Sequence, residues 1–171
     1  MDGRLALLFF AVGLFDMKSN DCETGCLAGT PAQQALSLSF GDVIFQEKSI
    51  GREMYMRYDI GTSFGPFQPA LGLSVTASND IWVGFGATHT TRFWDRPSGA
   101  GGYAQLHFMP GVYTQGSGPD LGYPLEFRSG AEIGYQAKNG VRMGVSFDHR
   151  SNGDISSLNP GLETLQFRVS V

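Results

Sequence analysis

Apolar and polar residues alternate along most of the chain after residue 33. A period of two is the period of a β-strand, whose successive side chains point to opposite faces. Segments rich in Gly, Pro, Asn and Ser separate the alternating runs and supply turns. The pattern therefore predicts eight strands, which are ALSLSF, REMYMRYDIG, LGLSVTA, IWVGFGATHT, GYAQLHFMPGVY, LEFRSGAEIGYQ, VRMGVSFDHRSNG and ETLQFRVSV.

The two faces of these strands differ in a way that indicates the fold class. One face is continuously apolar, whereas the other carries Gly, Ser and charged residues of both signs: Glu53, Arg57, Asp59, Glu126, Arg128, Glu132, Arg142, Asp148 and Arg168. A membrane barrel turns its apolar face to lipid and can pair its charges in a closed lumen. We therefore predict an all-β, eight-stranded antiparallel transmembrane barrel of the outer membrane. The alternative is a soluble sandwich or lipocalin-like barrel whose apolar face points inward.

Composition narrows the possible partners. The chain has 171 residues, of which 42% are hydrophobic and only 16% are charged, and its net charge is −4. Charged residues usually make up about 25% of a soluble domain. A mildly acidic chain does not favour nucleic acid as a partner. No apolar run reaches the roughly 18 residues that a membrane-spanning helix needs.

The N-terminal region has a different character from the rest. An apolar run from Leu5 to Phe15 follows Arg4, which is typical of an export signal. We predict a leader over residues 1–33, removed before about Gln33, and a barrel over residues 34–171. The alternative is a short buried N-terminal helix. Cys22 and Cys26 are too few for a metal site, but they could pair if this segment survives export.

The seventh run ends unexpectedly on its apolar face. After Val145 and Phe147 the same parity continues with His149 and Ser151. An imidazole two residues from a hydroxyl can activate it as a nucleophile, and a carboxylate can orient that imidazole. Glu163 begins the eighth run with the parity of its apolar residues, so the hairpin would bring it beside His149. The alternative is that His149 pairs with Asp148 and that Ser151 is an ordinary turn residue.

The segment FDHRSNG, with Glu163 twelve residues after the serine, resembles the outer-membrane lipid A 3-O-deacylases, the PagL family. The resemblance covers about residues 141–171. It implies an outer-membrane barrel with Ser151 as nucleophile, His149 as general base and Glu163 as the orienting carboxylate. Asn152 matches the asparagine that follows the family serine, so its side chain or nearby backbone N–H groups would serve the oxyanion.

The resemblance also sets the expected substrate and location. The site would face the outer leaflet, act on lipid A of lipopolysaccharide among the outer-membrane lipids, and need no cofactor or metal. Two other functions stay open, an outer-membrane phospholipase and a non-enzymatic structural or adhesive barrel. The sequence does not fix the oligomeric state, and a homodimer is one possibility.

Two further sets of residues carry expectations. His89 shares the parity of its strand's apolar residues and has no acid near it in sequence, so we interpret it as an interfacial polar residue. Four large aromatic residues are candidates for an aromatic girdle at the membrane interface: Trp82, Trp94, Tyr103 and Tyr113.

Overall fold

A computed structural model describes residues 3–94 and 96–171. Within them lie a helix, α1 (Arg4–Asp16), and a π-helical turn over Met17–Asp21. The strands are β1 (Gly29–Pro31), β2 (Ala35–Phe45), β3 (Lys48–Asp59), β4 (Thr62–Phe64), β5 (Gln68–Thr76), β6 (Ile81–Phe93), β7 (Gly101–Thr114), β8 (Leu125–Gln136), β9 (Arg142–Ser151) and β10 (Leu162–Ser170).

Eight of these strands form a closed antiparallel barrel in the order β10-β2-β3-β5-β6-β7-β8-β9. The barrel closes where β10 pairs with β2 on one side and with β9 on the other. The alternation sends apolar side chains outward, so that Phe40 is 54% exposed while the neighbouring Ser39 is 1% exposed. The predicted barrel is confirmed, and the alternative with its apolar face inward is wrong.

The lumen is filled by paired charges, as the mixed signs on that face predict. Glu53 accepts hydrogen bonds from Arg128 and Arg150, with N···O distances of 2.7 and 2.5 Å. Further along the axis, Arg168 donates to Glu132. These side chains are almost completely buried. Each of these five buried charges thus has an opposite charge within hydrogen-bonding distance, which is the condition for tolerating it away from water.

Large aromatic residues also pack inside the barrel. Trp82, Tyr103 and Tyr113 are 0%, 1% and 6% exposed, so the predicted girdle is wrong for these three, although Trp94 lies exposed. The indole of Trp82 fits because Gly84 and Gly111 face it. A Cβ atom at either glycine would lie 2.3 or 2.5 Å from the Trp82 ring.

The connections of the barrel fall at two ends. The chain enters β2 and leaves β10 at one end, and the hairpin loop of residues 152–161 lies at the other. The loop of residues 115–124 lies at that second end too, where Asp80 accepts hydrogen bonds from the N–H groups of Gly116 and Gly118. In the part of the chain that the structure describes, no helix has the length and apolar character needed to cross a membrane.

The N-terminal segment lies against the outside of the barrel. Helix α1 contacts β7 and β8, and the Phe9 ring packs 5.4 Å from Phe67 and 6.3 Å from Phe108, between ring centroids. Beyond the helix, Cys22 and Cys26 form a disulfide, and β1 pairs with β4 in a small two-stranded sheet. Residues 3–34 therefore form a helix followed by a short disulfide-bonded segment that ends in β1, and both are attached to the barrel wall.

Candidate active site

His149 and Glu163 are direct partners in the antiparallel pair of β9 and β10. Both side chains point outward, because they share the parity of the exposed Phe147 and Leu165. The Nδ1 atom of His149 lies 3.2 Å from Oε1 of Glu163. A carboxylate at this distance favours the tautomer in which Nδ1 carries the proton, which leaves a lone pair on Nε2.

Ser151 ends β9, two residues after His149 on the same outer face. Residues two apart on a strand have their Cβ atoms about 6–7 Å apart. Ser151 is also the register partner of Phe127 in β8, as His149 is of Ser129. The sequence-predicted serine, histidine and carboxylate therefore gather at one end of the outer wall.

His149 and Ser151 line a common cavity of about 410 Å³. Its other walls come from β7, β8, the loop after β9 and the first turns of α1: Gly3, Ala6, Phe108, Phe127, Ser129, Gly153, Asp154 and Asn159. Aromatic side chains form the floor, with the rings of Phe108 and Phe127 stacked 5.8 Å apart between centroids. The cavity thus offers an apolar surface directly beside the polar groups.

Asn152 is fully buried and holds two loops together. Its Nδ2 donates to the carbonyl oxygens of Leu121 and Leu158, at 2.9 and 2.8 Å. Its backbone N–H donates to Oδ1 of Asn159 at 3.1 Å. The donors of Asn152 are therefore engaged within the protein, and the residue fixes the chain immediately after Ser151.

The turn after Asn152 is sharp. Gly153 and Asp154 both have positive φ, at 63° and 62°, a conformation that glycine adopts readily and aspartate adopts less often. The Asp154 carboxylate accepts a hydrogen bond of 2.8 Å from Nδ2 of Asn159. The loop is thus held by hydrogen bonds on both sides of the turn that faces the cavity.

Asp148 and Arg150 flank His149 in sequence but point into the lumen. Asp148 accepts a hydrogen bond of 2.8 Å from Arg128, and Arg150 donates to Glu53. The alternative in which Asp148 pairs with His149 is therefore wrong, because the two side chains lie on opposite faces of β9. The lumen network instead anchors the strand that carries the histidine.

Ser129 and Asn159 are cavity residues that the sequence interpretation missed. Ser129 has outward parity in β8, between Phe127 and Ala131, yet is 4% exposed. A polar residue on an apolar face was the signal that singled out His149, and the same signal was present here. Asn159 carried no such signal, because it lies in an irregular loop.

His89 also has partners that the sequence did not indicate. Its Nδ1 lies 3.3 Å from the carbonyl oxygen of Pro66 and 3.8 Å from a carboxylate oxygen of Asp16. An acid therefore lies near His89 in space, although none is near it in sequence. Among residues 3–94 and 96–171, no three His, Cys, Asp or Glu side chains are grouped as metal ligands would be.

Comparison with known proteins gives the family. The family model described as lipid A 3-O-deacylase (PagL) matches residues 35–171. No curated protein sequence matches the chain significantly. The crystal structure of the outer membrane enzyme PagL superimposes with a TM-score of 0.66 at 17% identity, covering 80% of this chain and 98% of that one.

Two other solved structures are less similar to this chain. Neisserial surface protein A has a TM-score of 0.49 at 12% identity, covering 84% of this chain and 98% of its own. The Yersinia pestis outer membrane protein Ail has a TM-score of 0.38 at 13% identity, covering 81% and 100%. The family match and the fold together confirm the predicted family, the outer-membrane location and lipid A as substrate. The chain belongs to the lipid A 3-O-deacylase (PagL) family and is an outer-membrane lipid A deacylase.

Proposed function

We propose that this deacylase is a serine esterase in which Ser151 is the nucleophile, His149 the general base and Glu163 the carboxylate that orients the base. The observation that carries the proposal is the 3.2 Å contact between His149 and Glu163 beside a cavity that Ser151 also lines. A nucleophile, a base and a group that orients the base are the parts of a catalytic triad. Here they lie on the outer wall of the barrel.

The reaction follows from the tautomer that Glu163 favours. His149 Nε2 accepts the proton of Ser151 as Oγ attacks the carbonyl carbon of the 3-O-acyl ester. The tetrahedral intermediate collapses when the imidazolium protonates the departing sugar oxygen, which leaves the acyl group on Ser151. Water, deprotonated by His149, then attacks the acyl-enzyme. The fatty acid leaves, and Ser151 recovers its proton from His149.

We propose that Asn152 supports the oxyanion through the turn that it holds. Its side-chain and backbone donors are engaged by Leu121, Leu158 and Asn159. The backbone N–H groups that follow are better placed to donate to a developing oxyanion, because Gly153 lines the cavity. Donors fixed in position before the reaction stabilise the transition state most.

The position of the site suits a substrate that stays in the membrane. The cavity opens on the apolar outer wall at the end of the strands, where polar groups cost less than at mid-bilayer. A lipid can then present its ester without leaving the bilayer. A soluble hydrolase would need a closed pocket to exclude water in the same way.

Mass spectrometry of lipid A from a host that expresses the protein tests this proposal. Wild type should remove one ester-linked acyl chain, and Ser151→Ala should remove none. Ser157→Ala is the matched control, because Ser157 is an exposed serine in the same loop. A shift in electrophoretic mobility on heating shows that each barrel has folded. Equal deacylation by wild type and Ser151→Ala would overturn the assignment of the nucleophile.

Wild type and Ser151→Ala also test the two alternative functions, a phospholipase and a non-enzymatic barrel. A phospholipase would release fatty acid from phospholipid vesicles that contain no lipid A, and a structural or adhesive barrel would release none from either lipid. Homodimer formation stays a prediction. Chemical cross-linking of the protein in outer membranes would test it directly.

A further inference from the structure

We propose that Ser129 is a further catalytic residue, whose hydroxyl holds the water molecule that hydrolyses the acyl-enzyme. The inference deepens the proposed function and rests on it, because it assigns a residue to the second half of the reaction at Ser151. The starting observation is that Ser129 on β8 is a direct register partner of His149. Since Glu163 is the partner of the same histidine on β10, the imidazole has a polar neighbour on each side across the sheet.

The register places Ser129 close to both members of the catalytic pair. Directly paired residues of antiparallel strands have their Cβ atoms about 4.5–5.5 Å apart. Ser151 is the partner of Phe127, which comes two residues before Ser129 on β8. The two serines are therefore diagonal neighbours, with Cβ atoms roughly 7 Å apart. Because backbone pairing within the barrel sets this arrangement, it does not depend on the N-terminal segment.

The wall around Ser129 is otherwise apolar. Phe108 is its register partner on β7, and Phe127 and Ala131 occupy the adjacent outward positions on β8. An ordered water needs about two to four polar partners, and these three side chains supply none. Ser129 thus brings a hydroxyl to the place beside the histidine where a water would otherwise meet only carbon.

The imidazole of His149 is held with its second nitrogen directed away from β10. Its Nδ1 lies 3.2 Å from Oε1 of Glu163 on the β10 side. The two nitrogens of an imidazole ring point in different directions, so Nε2 does not face that strand. A Cβ atom at Gly161 would lie 2.9 Å from Cε1 of His149, so the loop backbone packs against the ring and limits its rotation.

The position of Ser129 suits the deacylation step. After acylation, the Ser151 oxygen is part of an ester and has no proton to donate to Nε2. A water that donates one hydrogen to Nε2 and the other to the Ser129 oxygen directs a lone pair at the acyl carbon. The water oxygen bonds to that carbon as its proton passes to Nε2, and the bond from the carbon to Ser151 Oγ then breaks. Ser151 takes the proton from His149, and the fatty acid leaves.

The two halves of the reaction depend on Ser129 to different extents. In acylation the attacking atom is the Ser151 oxygen, which the protein already holds two residues from His149. In deacylation the attacking atom belongs to a mobile water, which has to be captured beside an apolar wall. Loss of the Ser129 hydroxyl should therefore slow deacylation and leave acylation unchanged, whereas a general structural defect would slow both.

The test is the time course of hydrolysis of a chromogenic dodecanoyl ester by folded protein in detergent. We expect Ser129→Ala to lower kcat about tenfold, the effect of losing one hydrogen bond in the transition state of deacylation. The acylation rate constant, measured as chromophore release in a single turnover, should match wild type. Protein quenched during turnover should carry a dodecanoyl group on Ser151, located by peptide mass spectrometry. Ser157→Ala, the same change at an exposed serine, should behave as wild type.

Ser129→Thr and Ser129→Val form a matched pair for the same measurement. The two side chains have nearly the same shape, and only threonine carries a hydroxyl. Both residues are favourable in strands, so the pair decides the question even if Ser129→Ala does not fold. Ser129→Thr should turn over without accumulating acyl-enzyme, whereas Ser129→Val should accumulate it.

Two results would overturn the role of Ser129. One is a Ser129→Ala protein in which acylation and deacylation slow equally or neither slows. The other is equal accumulation of acyl-enzyme by Ser129→Thr and Ser129→Val. Failure of the proposed function looks different, because Ser151→Ala would then hydrolyse the ester as fast as wild type.

Discussion

Glu163 lies directly across from His149 in the last hairpin of the barrel, with 3.2 Å between Oε1 and Nδ1. The geometry requires no long-range folding event beyond the hairpin, because adjacent antiparallel strands bring the two residues together. The barrel contributes the surroundings. Ser129 and Phe127 on β8 border the histidine and the serine from the other side.

We expect Glu163→Ala to lower kcat by about a hundredfold or more, because the imidazole loses the group that fixes its tautomer and stabilises its cation. Glu163→Gln should not restore the rate, since an amide carries no charge, whereas Glu163→Asp should restore part of it. The measurement is the initial rate of ester hydrolysis by folded protein in detergent. Leu165→Ala, which changes an exposed residue of the same strand, serves as control. Unchanged kcat in Glu163→Ala would remove Glu163 from the mechanism.

We expect Asn152→Ala to loosen residues 115–124 together with residues 152–161, because it removes the hydrogen bonds to Leu121 and Leu158. Two such bonds contribute about 1–3 kcal/mol in total. Asn152→Asp should be worse, since it places a carboxylate against two carbonyl oxygens. Hydrogen exchange of both loops, followed by mass spectrometry, measures the effect. Faster exchange confined to one loop would contradict the link between them.

Glu53 offers a test of the lumen network. Glu53→Ala leaves Arg128 and Arg150 buried without their shared carboxylate, and breaking a buried ion pair typically costs about 3–5 kcal/mol. The matched control is Asp42→Ala, because the Asp42–Arg52 pair at 4.0 Å is exposed and such pairs contribute about 0–1 kcal/mol. Urea unfolding in lipid vesicles compares the two. Equal losses of stability would mean that the network does not support the barrel.

Phe167 can test whether the middle of the outer wall lies in the hydrocarbon layer of the membrane. Phe167 is 54% exposed and lies between Phe40 and Val145 on the neighbouring strands. Phe167→Arg should lower the free energy of unfolding in vesicles by about 2–4 kcal/mol, because a charge at mid-bilayer is costly. Leu158→Arg, at an exposed position in the hairpin loop of residues 152–161, should lower the free energy of unfolding much less. A small effect at Phe167 would contradict its placement in the hydrocarbon layer.

Parity along the strands was enough to predict the barrel and to select the residues that we assign to the site. It places His149, Ser151 and Glu163 on the outer face and separates them from Asp148, because alternation depends only on backbone geometry. Applied consistently, the same rule would have placed Trp82 in the lumen, since it shares parity with Gly84. The expectation of an aromatic girdle came from residue type and ignored the space that glycines leave for a ring.

The position of α1 could not be predicted in this way. Its apolar residues occur on all sides, so no periodicity marks the face that meets the barrel. The contacts that place it, between Gly13 and Phe67 and between Asp16 and His89, join residues far apart in sequence. Sequence reasoning finds such contacts only when the partner element is already known.

The order of the strands bears on when the chain can become active during its assembly. Glu163 lies on β10, the strand that seals the cylinder by joining both β9 and β2. On the proposed mechanism, a chain whose last strand is still unpaired has no carboxylate next to its imidazole and is not a competent esterase. The proposed mechanism therefore expects no hydrolysis by a chain in which β10 has yet to pair with β9.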